Sequence, residues 1–202
     1  MDVGTIREGL GKISNIMDQN RDYLVELDQQ NGDGDLGISM SAGFKATYNY
    51  VQQSEEKDLG RLLMKAGQVF NEEAPSSLGT ILSFGFMGMA KSLKGKQEME
   101  FSDLAVAIAA GVEKILERTG SKPGEKTILD ALCPAAQLLL EEKDGDIREV
   151  LKKTAAVAAE GSEATRAMKS VHGRAAYYGD QSIGILDGGS VVGRLIFEAL
   201  AQ

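Results

Sequence analysis

The sequence predicts an all-α protein, an up-and-down antiparallel barrel or bundle of eight helices, and three observations predict it. The three prolines stand at Pro75, Pro123 and Pro134, so the first 74 residues and the last 68 are free of the strongest helix breaker. Aromatic residues make up only 5% of the chain and β-branched runs are few, which weighs against a sheet. Apolar residues instead recur at helical spacing, shown most plainly by Leu104, Ile108, Val112, Ile115 and Leu116 on one stripe.

In chain order, the same pattern predicts helices over 3–27, 38–53, 57–72, 77–93, 102–120, 127–142, 147–171 and 189–201. The fifth has Ser102 as N-cap and Gly120 as the stop beyond its last turn. The sixth opens with Thr127 and Asp130 as a capping-box-like pair. In the seventh, the alanine-rich stretch Thr154–Ala159 reads as close helix packing. Connections are short, with no internal repeat and no low-complexity linker, so residues 1–202 read as a single domain.

Composition narrows the function classes. A chain of 202 residues can bury roughly 70% of its unfolded surface in one core. It therefore requires neither a disulfide framework nor a structural metal, and the single Cys133 points to a reducing compartment. No apolar run reaches the roughly 18 residues of a membrane span, and Met1-Asp2-Val3-Gly4-Thr5 lacks the order of a signal peptide, so a soluble, cytoplasmic protein is expected. The 22 basic and 30 acidic side chains give a formal charge of −8, which disfavours nucleic acid as a partner. Any phosphate bound here needs positive charge from metal ions or from local backbone.

Glycine is over-represented, at 24 of 202 residues against a usual ~7%, and it gathers at 32–37, 79–95 and 179–193. A helical protein has little use for so much glycine unless backbone approaches something closely. The first cluster, Asp28 followed by Asn31-Gly32-Asp33-Gly34-Asp35-Leu36-Gly37, brings three carboxylates to one interhelical loop, an arrangement that suits a hard cation such as Mg²⁺. An EF-hand register begun at Asn31 fails, because its sixth position is Leu36 where glycine is needed and its twelfth is Ala42 where glutamate is needed. A turn-forming, solvated Asp/Gly loop is the plainer reading, but three acids so close repel one another without a cation.

Two further segments suit an anion. Gly124-Glu125-Lys126-Thr127 looks like the end of a P-loop, but Glu125 stands where the second glycine belongs and no strand precedes it, so a Walker motif is rejected. What remains is Thr127 at a helix N-terminus, a phosphate contact or an ordinary cap. Ser76-Ser77-Leu78-Gly79-Thr80 likewise starts a helix with small residues. Gly173-Arg174-Ala175-Ala176-Tyr177 and Asp187-Gly188-Gly189 add an arginine, able to hold a phosphate or to pair with a surface acid, and another glycine-rich helix start. His172, the only imidazole, has no nucleophile pattern beside it and is not read as catalytic or as a phosphocarrier.

In order and spacing, these segments resemble one family over nearly the whole chain: the nucleotide-binding L subunit of dihydroxyacetone kinase. The resemblance is carried by Leu27-Asp28 with Gly32-Asp33-Gly34-Asp35-Leu36-Gly37, by Gly124-Glu125-Lys126-Thr127 with Asp130 and Pro134, and by Gly173-Arg174-Ala175-Ala176-Tyr177 with Ser182-Ile183-Gly184 and Asp187. It implies an eight-helix barrel holding ADP, or ATP, at one end through two Mg²⁺ ions ligated by Asp28, Asp33 and Asp35. It places Gly37, Ser39, Ser77, Leu78, Gly79, Thr127, Ile128, Arg174, Asp187, Gly188 and Gly189 around the nucleotide. It assigns no residue a general-base role.

The resemblance also implies partners: a K subunit that carries the triose, and a phosphohistidine carrier subunit M that recharges bound ADP. The chain itself is expected as a monomer or weak dimer. An ATP-using subunit for another short sugar, or a non-catalytic regulatory relative, are the alternatives. Three departures stand out. Leu36 replaces a usual histidine, Ser76-Ser77-Leu78-Gly79 replaces Gly-Ala-Ser-Gly, and Asp187-Gly188-Gly189 replaces Asp-Pro-Gly.

Overall fold

Asp2 starts the first helix: its carboxylate accepts the backbone N–H groups of Gly4 and Thr5, two of the donors a helix start leaves without partners. The computed structural model describes residues 1–202 and contains nine α-helices, two short 3₁₀ segments and no strand. Helix α1 spans Val3–Gln19 and turns Ile6, Leu10, Ile13 and Met17 inward at helical spacing. The expected single helix over 3–27 is broken at Asn20, whose φ of −100° and ψ of 9° end α1, and α2 follows over Arg21–Asp28. The Asn20 amide donates to the carbonyl of Ile16 at 2.8 Å, an interaction that competes with helix continuation without a glycine or proline to announce it.

The next helices lie close to expectation. They are α3 (Leu36–Gln53), α4 (Leu59–Glu73), α5 (Ser77–Ser92), α6 (Phe101–Thr119) and α7 (Leu129–Glu141). The cap of α6 is not Ser102. Glu100 is the N-cap, and its N–H is held by Asp103, so the helix starts one residue earlier. Gly120 does stop it, in the left-handed conformation at φ 68°. The pair at the head of α7 is half a capping box. Asp130 accepts the N–H of Thr127 at 2.7 Å, but Thr127 Oγ1 accepts from Leu129 rather than from Asp130.

Helix α8 (Ile147–Ala164) ends seven residues before the expected 171, where the chain tightens into the 3₁₀ segments Thr165–Ala167 and Arg174–Ser182. Helix α9 (Gly188–Leu200) then completes the chain. From α3 to α9 each helix packs on its successor, α9 returns to α1, and α1 packs on α3, so the helices close into a ring. Leu24, Met40, Phe44, Phe70, Leu129 and Leu195 fill its centre, all nearly inaccessible. Deleting one of the larger side chains, such as Phe70, costs about 3–5 kcal/mol. No helix is long and apolar enough to cross a membrane.

The motifs singled out in the sequence lie at every second connection: α2–α3, α4–α5 with the Ser76–Gly79 helix start, α6–α7 and α8–α9. A ring of sequential helices with short links brings alternate connections to one end. That end is where the candidate site residues gather.

Candidate functional site

The loop between α2 and α3 is shaped by its own aspartates. Asp28, at the last position of α2, accepts the N–H of Gly34 through Oδ2 at 2.7 Å and folds the loop back on itself. Gly32 lies so close to the Asp28 carboxylate that any Cβ there would collide with it. Gly37 is likewise pressed against the carbonyl of Arg21, so glycine is required on both flanks. The result places carboxylate oxygens of Asp28, Asp33 and Asp35 all within 4.8 Å of one another, with Asp33 and Asp35 exposed.

Such a set is electrostatically uncomfortable. Partial burial, then the charges of Asp33 and Asp28, raise the carboxyl of Asp35 above its ordinary range, and the guanidinium of Arg174 only partly offsets this. Three converging carboxylates, one oxygen of Asp28 already spent on the backbone, suit a hard divalent cation whose remaining positions are filled by water and phosphate. Asp35 makes no side-chain bond to the start of α3, so the N–H groups of Leu36, Gly37 and Ile38 stay available to an anion beside those cations. Leu36 itself is buried and lies against Gly188, so its side chain offers no polar contact.

Arg174 reaches the loop from the α8–α9 connection. Its Nη1 sits 2.5 Å from Oδ2 of Asp33. An open cleft between the two segments is lined by Asn31, Gly32, Arg174, Tyr177, Tyr178 and Gln181. Tyr177 is 91% exposed at its rim.

The starts of α7 and α9 complete this end. Asp130 is buried, and its two oxygens accept the N–H groups of Gly124 at 2.5 Å and of Thr127 at 2.7 Å. Asp187 caps α9 by accepting from Ser190 at 2.6 Å. Burial, with Asp130 and Asp28 adding repulsion, pushes its carboxyl up to about 7, against the pull of the Ser190 N–H and Lys126. A Cβ on Gly189 would stand 3.4 Å from the amide nitrogen of Ile128, so the two helix starts nearly touch.

The structure thus brings together Asp28, Asp33, Asp35, Gly37, Thr127, Ile128, Arg174, Asp187, Gly188 and Gly189. Two of the residues expected around the nucleotide differ from a simple contact role. Ile128 is buried, with its side chain packed toward Gly193 of α9 and its amide nitrogen and Cβ against Gly189. Ser39 is also buried, and its hydroxyl donates to Leu36 within its own helix at 3.2 Å, which spends the group that would meet a ligand.

Ser77, Leu78 and Gly79 stand at the start of α5, reached through α3: Ala74 packs on Gly43, about two turns beyond Leu36. Ser76 caps α5 by accepting from Gly79 at 3.0 Å, which leaves the N–H groups of Ser77 and Leu78 without an internal partner. His172 lies on the surface, its Nε2 2.7 Å from Glu125. The sequence reading missed Lys126, whose buried ammonium meets three backbone carbonyls rather than open space, and the tyrosines of the cleft. Carbonyls carry no side-chain signature, whereas two adjacent tyrosines in a Gly-Arg segment were a signal that could have been used.

Comparison with known proteins gives the family and the fold. Residues 30–202 match the family model described as the DAK2 domain. The chain is 31% identical over 186 residues, covering 91% of it and 88% of the relative, to the ADP-binding subunit DhaL of PEP-dependent dihydroxyacetone kinase 1 from Listeria innocua. It is 30% identical over 200 residues, covering 99% and 97%, to the ADP-binding subunit DhaL of the PTS-dependent dihydroxyacetone kinase of Lactococcus lactis. Among solved structures, the dihydroxyacetone kinase from C. freundii, crystallised with AMP-PNP and Mg²⁺, superposes with a TM-score of 0.76 at 23% identity. That match covers 98% of this chain but only 33% of the solved one, and it establishes a shared fold.

Proposed function

The chain belongs to the DAK2 domain family, which makes it a phosphotransferase subunit, and on that premise we propose that it is the ADP-binding subunit of a phosphoenolpyruvate-dependent dihydroxyacetone kinase. The observation that carries this reading is the convergence of the Asp28, Asp33 and Asp35 carboxylates at the uncapped start of α3. Two Mg²⁺ ions held there would neutralise nucleotide phosphates and the charge spread over a transferring phosphoryl group. A protein of formal charge −8 needs such cations before it can hold a polyphosphate.

The remaining work falls to the chain's own groups. The N–H groups of Leu36, Gly37, Ser77 and Leu78 supply donors to phosphate oxygens, and Arg174 supplies the one guanidinium at the cleft. Because Leu36 is apolar, phosphate at the head of α3 is held by backbone and cations alone. The transfer needs no side chain to take a proton, because its chemistry is one of positioning and charge. The triose is held by a separate K subunit, and a phosphohistidine carrier subunit M restores the phosphate on bound nucleotide.

Native mass spectrometry of freshly purified protein in Mg²⁺ buffer, followed by chromatography of released nucleotide, tests this. Near-stoichiometric ADP with two Mg²⁺ is expected. Protein that carries no nucleotide, and binds added ATP only weakly and exchangeably, would overturn ADP as a resident cofactor.

A further inference from the structure

Lys126 is the only lysine among the buried side chains, with 3% of its surface accessible. It is also the only non-glycine residue at positive φ, 61°, a conformation that costs a side-chain-bearing residue about 1 kcal/mol. Its ammonium has no acid partner within ion-pair distance. It donates instead to the carbonyls of Met168 at 3.1 Å, Ser182 at 2.6 Å and Ile185 at 2.6 Å, which uses all three of its donors. Burying a cation is unfavourable unless every donor is satisfied, and burial lowers its pKa while Asp187 works the other way. Backbone strain and desolvation therefore meet at one residue, whose bonds all go to one segment.

That segment, 168–185, has no buried apolar anchor, and Lys126 makes its only buried ties to the rest of the chain. Only Ser170 and Ser182 are buried within it, while Val171, Tyr177, Tyr178 and Ile183 face solvent. Besides Lys126, its ties are polar and mostly exposed: Ser170 N–H to Ser182 Oγ, Ser182 Oγ–H to Gly179 O, Lys169 to Asp180, Gly184 N–H to Arg166 O with the Arg166 guanidinium on Gly184 O, His172 to Glu125 and Arg174 to Asp33. Apolar burial cannot fix its place, so the polar ties must. It carries Arg174, which reaches Asp33, and Tyr177, Tyr178 and Gln181, which line the cleft.

We propose that Lys126 is a positioning residue: by holding the carbonyls of Met168, Ser182 and Ile185 it fixes the 168–185 segment over the aspartate loop and so sets Arg174 against bound phosphate. The second half of this statement rests on the nucleotide-binding reading above. The first half is a property of the chain alone.

The test uses Lys126→Gly, which suits the positive φ while removing the ammonium, and Lys126→Met, which keeps the apolar stem. Hydrogen exchange of the nucleotide-free full-length protein is followed in 168–185 and, as a reference, in α4 and α5. Protection in 168–185 is expected to fall at least tenfold in both variants with the reference helices unchanged. Affinity for ADP in Mg²⁺ is expected to fall about tenfold, while binding of Mn²⁺ alone to the aspartate loop stays within twofold. Arg174→Gln should cause a similar loss of ADP affinity, and adding it to Lys126→Gly should cause little more, because both act through one guanidinium. Unchanged exchange in 168–185, loss of protection spread evenly over the chain, or additive losses in the double variant would each overturn the proposal. Failure of the unaltered protein to bind ADP would overturn the nucleotide reading instead, and the exchange data would still decide the clamp.

Discussion

Two polar clusters share one end of the ring, and they are built in opposite ways. Around Lys126 and Asp130, charged groups are buried and their hydrogen-bonding capacity is used up: three carbonyls meet the ammonium and two backbone N–H groups meet the carboxylate. In the loop of Asp28, Asp33 and Asp35, like charges stand together half-exposed, and the bonds of Asp28 to Gly34 and of Arg174 to Asp33 leave most carboxylate oxygens free. The first arrangement is what a fold does with charges it must bury; the second leaves a repulsion that a bound cation would relieve. The contrast separates residues whose loss should unfold the protein from residues whose loss should empty it.

The largest expected effect lies in the satisfied cluster. Asp130→Ala removes two hydrogen bonds to a charged acceptor and strands the N–H groups of Gly124 and Thr127 at the head of α7. At about 1.5–3 kcal/mol for each bond to a charged group, urea unfolding should show a loss of about 3–5 kcal/mol. A loss under about 1 kcal/mol would mean that this cluster is not structural, and the contrast would collapse. In the open cluster the expectation reverses. Asp33→Asn and Asp35→Asn should leave the metal-free protein as stable as before, or slightly more so, since each relieves repulsion among the three acids. Titration calorimetry with ADP in Mg²⁺ should nonetheless show affinity lowered by about 100-fold, equivalent to about 2.7 kcal/mol. Wild-type affinity in either variant would remove that residue from the ligand set.

The same contrast explains what could be read from the sequence. The convergence of the open cluster was legible because it resides in side-chain types, three aspartates among glycines within eight residues. Helix α6 was legible from its stripe and from Gly120, although its first cap was misplaced, because Ser102 and Glu100 both suit a helix start and only the fold chooses between them. The closed cluster was not legible. Lys126 bonds to carbonyls 42, 56 and 59 residues away, and every residue carries a carbonyl. The break at Asn20 was invisible for a related reason, since the competing bond is made by a residue that also tolerates helix interiors. Ser39 came from the resemblance alone, and no pattern in the sequence could announce that its hydroxyl donates to Leu36 within its own helix.

Asp187 belongs partly to each cluster and should give a smaller, pH-dependent signal. Its carboxyl titrates at about 7 in the folded chain, against about 4 for an unfolded aspartate. Between those values the folded state holds a proton that the unfolded state has released. Stability from this group is therefore complete below about pH 4, declines as pH rises, and is gone above about pH 7. Asparagine keeps the cap on Ser190 but cannot ionise. Urea unfolding of nucleotide-free protein between pH 5 and 7 should thus show the wild type losing about 1 kcal/mol per pH unit relative to Asp187→Asn. Parallel curves would show that Asp187 ionises freely within the fold.

The smallest expected effect on stability is at Arg174, and it sharpens the contrast by dissociating stability from binding. Its bond to Asp33 joins the two segments of the cleft, but the side chains are 67% and 38% exposed, so water and salt compete for both charges. Exposed ion pairs contribute about 0–1 kcal/mol, and Arg174→Gln should fall at the low end, within about 0.5 kcal/mol of wild type by urea unfolding. Raising the salt concentration should shrink even that difference. The guanidinium cannot be replaced so cheaply where a phosphate is concerned, because glutamine offers neither charge nor a two-pronged donor. A stable Arg174→Gln protein that has lost about tenfold in ADP affinity would place Arg174 with the open cluster. A protein that loses stability and binding in proportion would place it with the closed one, and the boundary between scaffold and site would have to be drawn on the other side of the cleft.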